Sequence, residues 1–424
     1  MKNQIELHNP FRSQPNPWPE IRKRRIQTLL PQAMQLSGID CWLVVCRENN
    51  NDPLALHVGG ENAGGTAVFV FTQQGDKVES LAFSPWGEAA ALKGMGLHDR
   101  VIQFERGTSV WPLVAQHLQV SNPQRIGVNC SHRPIADGLS WTQRLELEAA
   151  LGPDLAARLA SADDLIAEWL SVKLPEEVDI MRRAGELTVQ IQIEAYGTVV
   201  PGKTRDSDVG RHIRQRMAEL GVGDSWAPDQ NPNVNSGVAG GHSGPTDKII
   251  QPGDFIQTDF GIKVHDVWCT DYQRFAYVLA PGQTEPPPDA LLKWENGKRG
   301  SRIVRDTMRP GIRGYDVDKA QRDWMEEAGS RPVKWGTGHP VGYWAHDIGP
   351  ALTGGQYPEP PADALRLLRP GQTFAYDGFF NWQVEHEGEP AERGISVEEM
   401  IVVTEDGAEY LIPPQEDLIL IPSK

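Results

Sequence analysis

The chain has 424 residues, enough for two or three domains of ordinary size. Its 41 basic and 57 acidic residues give a formal net charge of −16, which disfavours nucleic acid and anionic membrane surfaces as partners. The four cysteines (Cys41, Cys46, Cys130 and Cys269) lack CxxC spacing, which argues against a disulfide framework or a zinc knuckle. The first residues contain no apolar signal core, and no later run approaches the roughly 18 apolar residues of a membrane span, so a cytoplasmic protein is expected.

Residues 1–17, polar and rich in proline and asparagine, read as an arm. Pro19 then opens a helix running through Arg22 to Leu36, with Ile21, Ile26, Leu29, Leu30 and Met34 at helical spacing. The short apolar runs Cys41 to Cys46 and Thr66 to Phe71 have the form of buried strands. Between them lies the glycine cluster Gly59 to Gly65; no Gly-Lys-Ser/Thr follows it, so it reads as a flexible turn rather than a phosphate cradle. Further strand-like runs around Leu81, Val101 and Ile126, with helical segments at Val110 to Val120 and Ile135 to Glu148, predict an α/β domain over residues 18–170.

A second domain is expected over residues 171–424. Ala162 to Ala195 reads as mostly amphipathic helix, and Arg205 to Leu220, Glu285 to Val304 and Asp316 to Glu327 as further helices. Gln251 to Val278 reads as a β-hairpin: Pro252 and Gly253 make a turn, and Phe255, Gln257 and Asp259 share one strand face. If the hairpin is centred near His265, Asp259 and Asp271, which are 271 − 259 = 12 residues apart, lie opposite each other on one face. Like charges opposed in a sheet repel. The pair is therefore either a cation site or two exposed strand aspartates. Other ligand types follow: His339 and His346 in a Gly/Pro-rich segment, Asp377 at the end of a strand-like run, and Glu398 and Glu399 at the start of a β-forming one. Together Asp259, Asp271, His339, Asp377 and Glu398 make a hard, oxygen-rich set with one imidazole, suited to Mn²⁺, Zn²⁺ or Co²⁺.

The order of these segments resembles the pita-bread metallopeptidase family, which includes Xaa-Pro aminopeptidases, prolidases, methionine aminopeptidases and the metal-free relative creatinase. The resemblance rests on the Pro-Gly-Asp hairpin bearing Asp259 and Asp271, the Gly-Thr-Gly-His segment ending at His339, and the run after Ile395 bearing Glu398, and it covers roughly Leu174 to the C-terminus. It implies a creatinase-like α/β N-terminal domain, an α+β pita-bread catalytic domain, and two divalent ions per chain, most naturally Mn²⁺, held by the five residues above. It further implies that His242, 259 − 242 = 17 residues before Asp259, binds substrate, that His346 lines the pocket near the leaving group, and that Asp377 accepts a proton. The implied activity is hydrolysis of the bond between an N-terminal residue and proline in short peptides, by an aminopeptidase or a dipeptidase that forms a homodimer.

Three positions depart from the family pattern. Asp377 stands where the family has Glu and is followed by Gly378 rather than Pro; Ser396 replaces an Arg, with Arg393 three residues before it as one candidate for that role and no replacement as the alternative; and the hairpin is one residue longer between its aspartates. These departures keep open a creatinase-like, metal-independent C–N hydrolase and a non-catalytic peptide-binding relative. Trp268, Trp335, Trp344 and Trp382 lie near the motif segments, as walls for a proline ring or as core.

Overall fold

The computed structural model of the chain describes residues 7–238, 244–386 and 388–423. It divides into two compact units, Pro17–Leu170 and the remainder, residues 1–16 with Ser171–Lys424. Among the described residues no helix is long and apolar enough to cross a membrane.

The smaller unit is built on a six-stranded mixed sheet. Its central strand Cys41–Cys46 pairs antiparallel with Ala67–Gln74 and parallel with Ile126–Val128. Outside these lie Lys77–Pro85 and Arg100–Phe104 on one side and Leu159–Ser161 on the other. The run Cys41–Cys46 is buried throughout, as a strand covered on both faces must be. Leu43, Val45, Val68, Val70 and Phe83 pack with Val114, Leu118 and Leu147 from the helices Trp111–Ser121 and Trp141–Ala156. Two expected helices differ. The first is broken into Trp18–Thr28 and Leu30–Ser37, because Pro31 has no N–H to donate and its ring crowds the carbonyl four residues earlier. The helix expected at Ile135 begins instead at Trp141, behind a capping box formed by Ser140 and Gln143.

In the larger unit, residue 11 of the expected arm is tied down: Phe11 is buried, edge-on to His265 and beneath the guanidinium of Arg183. The single amphipathic helix expected from Ala162 to Ala195 is two, Asp163–Ser171 and Pro175–Tyr196, interrupted where Pro175 can only open a new helix. Two four-stranded sheets follow. One runs Ile419–Ile421, Tyr272–Val278, Phe255–Phe260, Asn233–Ser236; the other runs Gly338–Pro340, Thr373–His386, Glu389–Val403, Ala408–Tyr410. The buried guanidinium of Arg274 joins them, donating to the Glu398 carbonyl at 3.1 Å and the Glu399 carboxylate at 3.0 Å. Helix Pro175–Tyr196 covers the first sheet: Gln192 Nε2 donates to the carbonyls of Thr258 and Tyr272, and the Tyr196 hydroxyl to that of Arg274 at 2.6 Å. Helix Pro288–Thr307 covers the second, meeting the backbone of Gly378 and the side chain of Ile395 through Gly297.

Candidate metal centre

The hairpin carrying the two aspartates turns one residue later than expected. Strands Phe255–Phe260 and Tyr272–Val278 pair with Asp259 opposite Gln273 and Phe260 opposite Tyr272. The extension Ile262–Val264 and Trp268–Cys269 keeps that register around His265 and Asp266, both with positive φ. Asp259 and Asp271 are therefore not directly opposed. They are two positions out of register, which preserves the shared face because side chains alternate with period two. Gln273 takes the place opposite Asp259.

The second pair of carboxylates comes from the other sheet. Strands Thr373–His386 and Glu389–Val403 place Asp377 directly opposite Glu398, and Gly338–Pro340 lies alongside with His339 paired to Ala375. The two adjacent glutamates part company: Glu398 turns to the cleft, whereas Glu399, 1% exposed, is neutralised by Arg274 on the opposite side. The imidazole Nε2 of His339 lies 3.8 Å from Asp271 and 3.9 Å from Glu398. One ligand atom each from Asp271, His339 and Glu398 lies within 4.8 Å of the others. Asp259 and Asp377 lie close enough for their charges to act on both carboxylates of this trio.

These groups line a cleft of about 450 Å³, together with Gln273, His346, Trp226, Gln230, Asn233, Trp335 and Thr353. Burial and the charges of Asp259 and Asp377 push the Asp271 carboxyl well above the usual carboxylate range. Glu398 is pushed up by burial and by Asp271, Asp377 and Asp259, against a hydrogen bond from Gln273. Four buried carboxylates with no Lys or Arg among the cleft's described lining, beside the imidazole of His339, fit a divalent cation. It would supply the missing charge, and oxygen with nitrogen donors suit Mn²⁺, Zn²⁺ or Co²⁺.

The sheets and helices hold each donor from behind. Gln273 donates its amide to Asp377 Oδ1 at 3.0 Å, and its own carbonyl oxygen accepts from Gln257 and from Ser396 Oγ at 2.7 Å. Ser396, where the resembled pattern has an arginine, thus closes a neutral amide and hydroxyl network around Asp377. Arg393 does not replace that cation. It lies an odd number of residues from Ser396 on the strand, and its guanidinium stacks 5.6 Å from the Phe255 ring in the apolar layer behind the sheet. Helix Gly314–Glu327 adds Gln321, which donates to the Asp377 carbonyl and to Thr337, and buried Asp318, which accepts from the Thr337 amide and hydroxyl. His339 is thereby anchored two residues upstream. Buried Lys173, 3.5 Å from Asp347, braces the segment bearing His346, whose ring lies 4.4 Å from that of His339.

His242 lies outside the described residues. Of the four tryptophans weighed as pocket walls, only Trp335 lines the cleft, 46% exposed. Trp268 is wholly buried and donates to Glu177, and Trp382 packs on Phe255 and Phe380. Trp226, Asn233 and Gln273 were not anticipated. A hairpin register shifted by one residue at the turn would have placed Gln273 opposite Asp259; Trp226 and Asn233 carry no such signal, because they reach the cleft only through the tertiary fold.

Comparison with known proteins agrees with this geometry. The sequence pattern of metallopeptidase family M24 matches residues 179–405, more than half of the 424 residues. The probable dipeptidase PepE of Mycobacterium tuberculosis is 27% identical over 293 residues, 68% of this chain and 70% of that protein. The Xaa-Pro dipeptidase of Pyrococcus furiosus is 23% identical over 265 residues, 61% of this chain and 67% of that protein. Among solved structures, dipeptidase PepE from Mycobacterium ulcerans superposes with a TM-score of 0.70 at 22% identity, covering 95% of this chain and 99% of that one. The X-Pro aminopeptidase from Thermotoga maritima superposes with a TM-score of 0.67 at 18% identity, covering 92% and 100%. The fold is thus the pita-bread fold preceded by its N-terminal domain, and the chain belongs to metallopeptidase family M24.

Proposed function

We propose that the chain is a dinuclear exopeptidase that releases an N-terminal residue ahead of proline from short peptides, with manganese as its preferred ion. The observation that carries this reading is the meeting of Asp271, His339 and Glu398 on the floor of one cleft, with Asp259 and Asp377 beside them. Asp259, Asp271, His339, Asp377 and Glu398 would hold the ions between them. Bound there, divalent cations polarise a scissile carbonyl and acidify water.

The chain's own residues do the rest. Asp377, its Oδ1 oriented by Gln273, would hold an ion and accept a proton from the attacking water. His346, exposed at the cleft, hydrogen-bonds the peptide on the leaving side, and the family resemblance assigns His242 a hydrogen bond to substrate. Trp335 and Trp226 present flat faces that suit a pyrrolidine ring. No Lys or Arg occurs among the described residues lining the cleft, so a substrate carboxylate held close to the ions finds no cation there. This favours an aminopeptidase, working as a homodimer, over a dipeptidase. The dipeptidase reading stays as the second one because the curated relatives carry that name.

Titration calorimetry with Mn²⁺ on chelator-stripped protein, beside an Asp377→Glu variant, tests the centre; Xaa-Pro dipeptides against Xaa-Pro-Xaa tripeptides test the specificity. Two ions per chain and faster tripeptide turnover are expected. A single ion in wild type with a second restored by Asp377→Glu would overturn the dinuclear reading, and turnover of dipeptides alone would overturn the aminopeptidase one.

A further inference from the structure

The smaller unit contains a cavity of about 230 Å³ that the metal-centre chemistry does not use. Ala67 and Phe69 on strand Ala67–Gln74 and Leu92 and Met95 on helix Trp86–Met95 form its apolar walls, and the turn Gly59–Gly65 forms its rim. Asn62 borders it from the exposed turn, and two buried polar atoms enter it. Ser84 is wholly buried and its Oγ has no hydrogen-bond partner; Glu88 Oε2 is also buried and without one. Buried polar atoms are ordinarily paired, and an unpaired one costs about 1–3 kcal/mol. Neither nearby cation serves Glu88 Oε2: Arg22 donates to Glu61 at 2.8 Å and to Met95 Sδ at 3.0 Å, and Arg106, whose guanidinium also approaches Gly64, leaves that oxygen unpaired.

The glycine cluster is fitted to this cavity rather than loose. A Cβ on Gly60 would lie 2.3 Å from Cys46 Sγ, and one on Gly64 would lie 2.5 Å from Glu88 Oε1. Gly59 adopts φ +82°. A side chain at position 64 would push the turn off the Glu88 carboxylate, and one at position 60 would push it off the strand bearing Cys46, so these glycines let the turn close over the cavity.

A carboxylate only accepts hydrogen bonds, and a serine hydroxyl accepts beside its single donation, so the missing partner is a group rich in donors and positively charged. We propose that this cavity binds a small primary amine with an apolar body, its ammonium held by Glu88 and Ser84 and its hydrocarbon part against Phe69, Leu92 and Met95. This site is independent of the reading of the metal centre.

The test is calorimetric titration of the full chain, chelator-stripped, with 3-methylbutylamine and with 3-methylbutan-1-ol. The amine is expected to bind at one site per chain and the alcohol not to bind. Glu88→Gln is expected to weaken the amine by about 10- to 100-fold, the worth of a charged hydrogen bond. Asp271→Asn, which alters the metal cleft, is expected to leave amine binding intact. Ala63→Leu, which fills the cavity without changing charge, is expected to abolish it, so the proposal stays testable if Glu88→Gln fails to fold. Equal binding by wild type and Glu88→Gln, loss of binding in Asp271→Asn, or no saturable binding at all would overturn the site; in the last case buried water satisfies both oxygens.

Discussion

At the scale of single residues, Asp271 and Glu398 are held in a state the folded protein would rather protonate. Their folded pKa values lie above the unfolded ones because burial and neighbouring carboxylates disfavour the charge. In the window between the unfolded and folded values the folded state binds more protons. Stability therefore falls as pH rises through that window from the usual carboxylate range near about 4. Chelator-stripped Asp271→Asn should accordingly be more stable than stripped wild type at neutral pH, by about 1–3 kcal/mol, with the difference shrinking as pH is lowered. Thermal melts across pH check this, and a gap independent of pH would sink it. Gln273 is the other residue-scale determinant, since its side-chain amide donates to Asp377 Oδ1 at 3.0 Å and so orients that carboxylate. Gln273→Leu should weaken ion binding by roughly 10- to 100-fold, the usual effect of losing a group that orients a metal ligand. The same titration that counts ions would show it, and an unchanged affinity would mean that Asp377 needs no orienting partner.

At the scale of elements, the contact of helix Pro288–Thr307 with strand Thr373–His386 explains one departure from the family pattern. A Cβ on Gly378 would fall 2.4 Å from the Gly297 carbonyl oxygen and 2.5 Å from Ser301 Cβ, and one on Gly297 would fall 2.7 Å from Ile395 Cγ2. Helix and strand therefore approach backbone to backbone directly beside Asp377, and only glycine fits. Gly378→Ala should cost about 1–3 kcal/mol through overpacking. It should also lower ion affinity, because relief comes from moving the strand that carries Asp377. Denaturant unfolding beside the ion titration separates the two effects; a stable variant with normal ion binding would show that the helix yields instead. The same strand explains why the adjacent Glu398 and Glu399 have different neighbours: alternation sends one to the cleft and the other to Arg274.

At the scale of the whole molecule, two units each carry their own apolar core, and the ligand cluster belongs to the larger one. An ion that binds the folded larger unit and not the unfolded chain stabilises it by about 2.7 kcal/mol at a hundredfold excess over Kd. Saturating Mn²⁺ should therefore raise the unfolding temperature of the larger unit and leave that of the smaller one in place. Scanning calorimetry with and without chelator would reveal this, and equal shifts of both transitions would show instead that the units unfold together. The order of motif segments, the strand runs and most helices were legible in the chain, because period-two and helical apolar patterns are local properties. Breaks at Pro31 and Pro175 were also written locally, in proline's missing N–H, and were passed over in favour of longer helical periods.

What the sequence determined by itself is the chemistry available: the residue types of a hard-ion centre, their order along the chain, and the fold those segments belong to. What only the tertiary structure decided is who stands beside whom. The turn at His265 and Asp266 set the hairpin register and put Gln273, not Asp271, opposite Asp259. The pairing of Asp377 with Glu398 joined residues from separate segments, and the strand's alternation aimed Ser396 at that pair while sending Arg393 to the apolar layer. The physical reason is that such neighbours are chosen by register and packing over long sequence separations, where one residue of slip changes every partner and no local pattern records it.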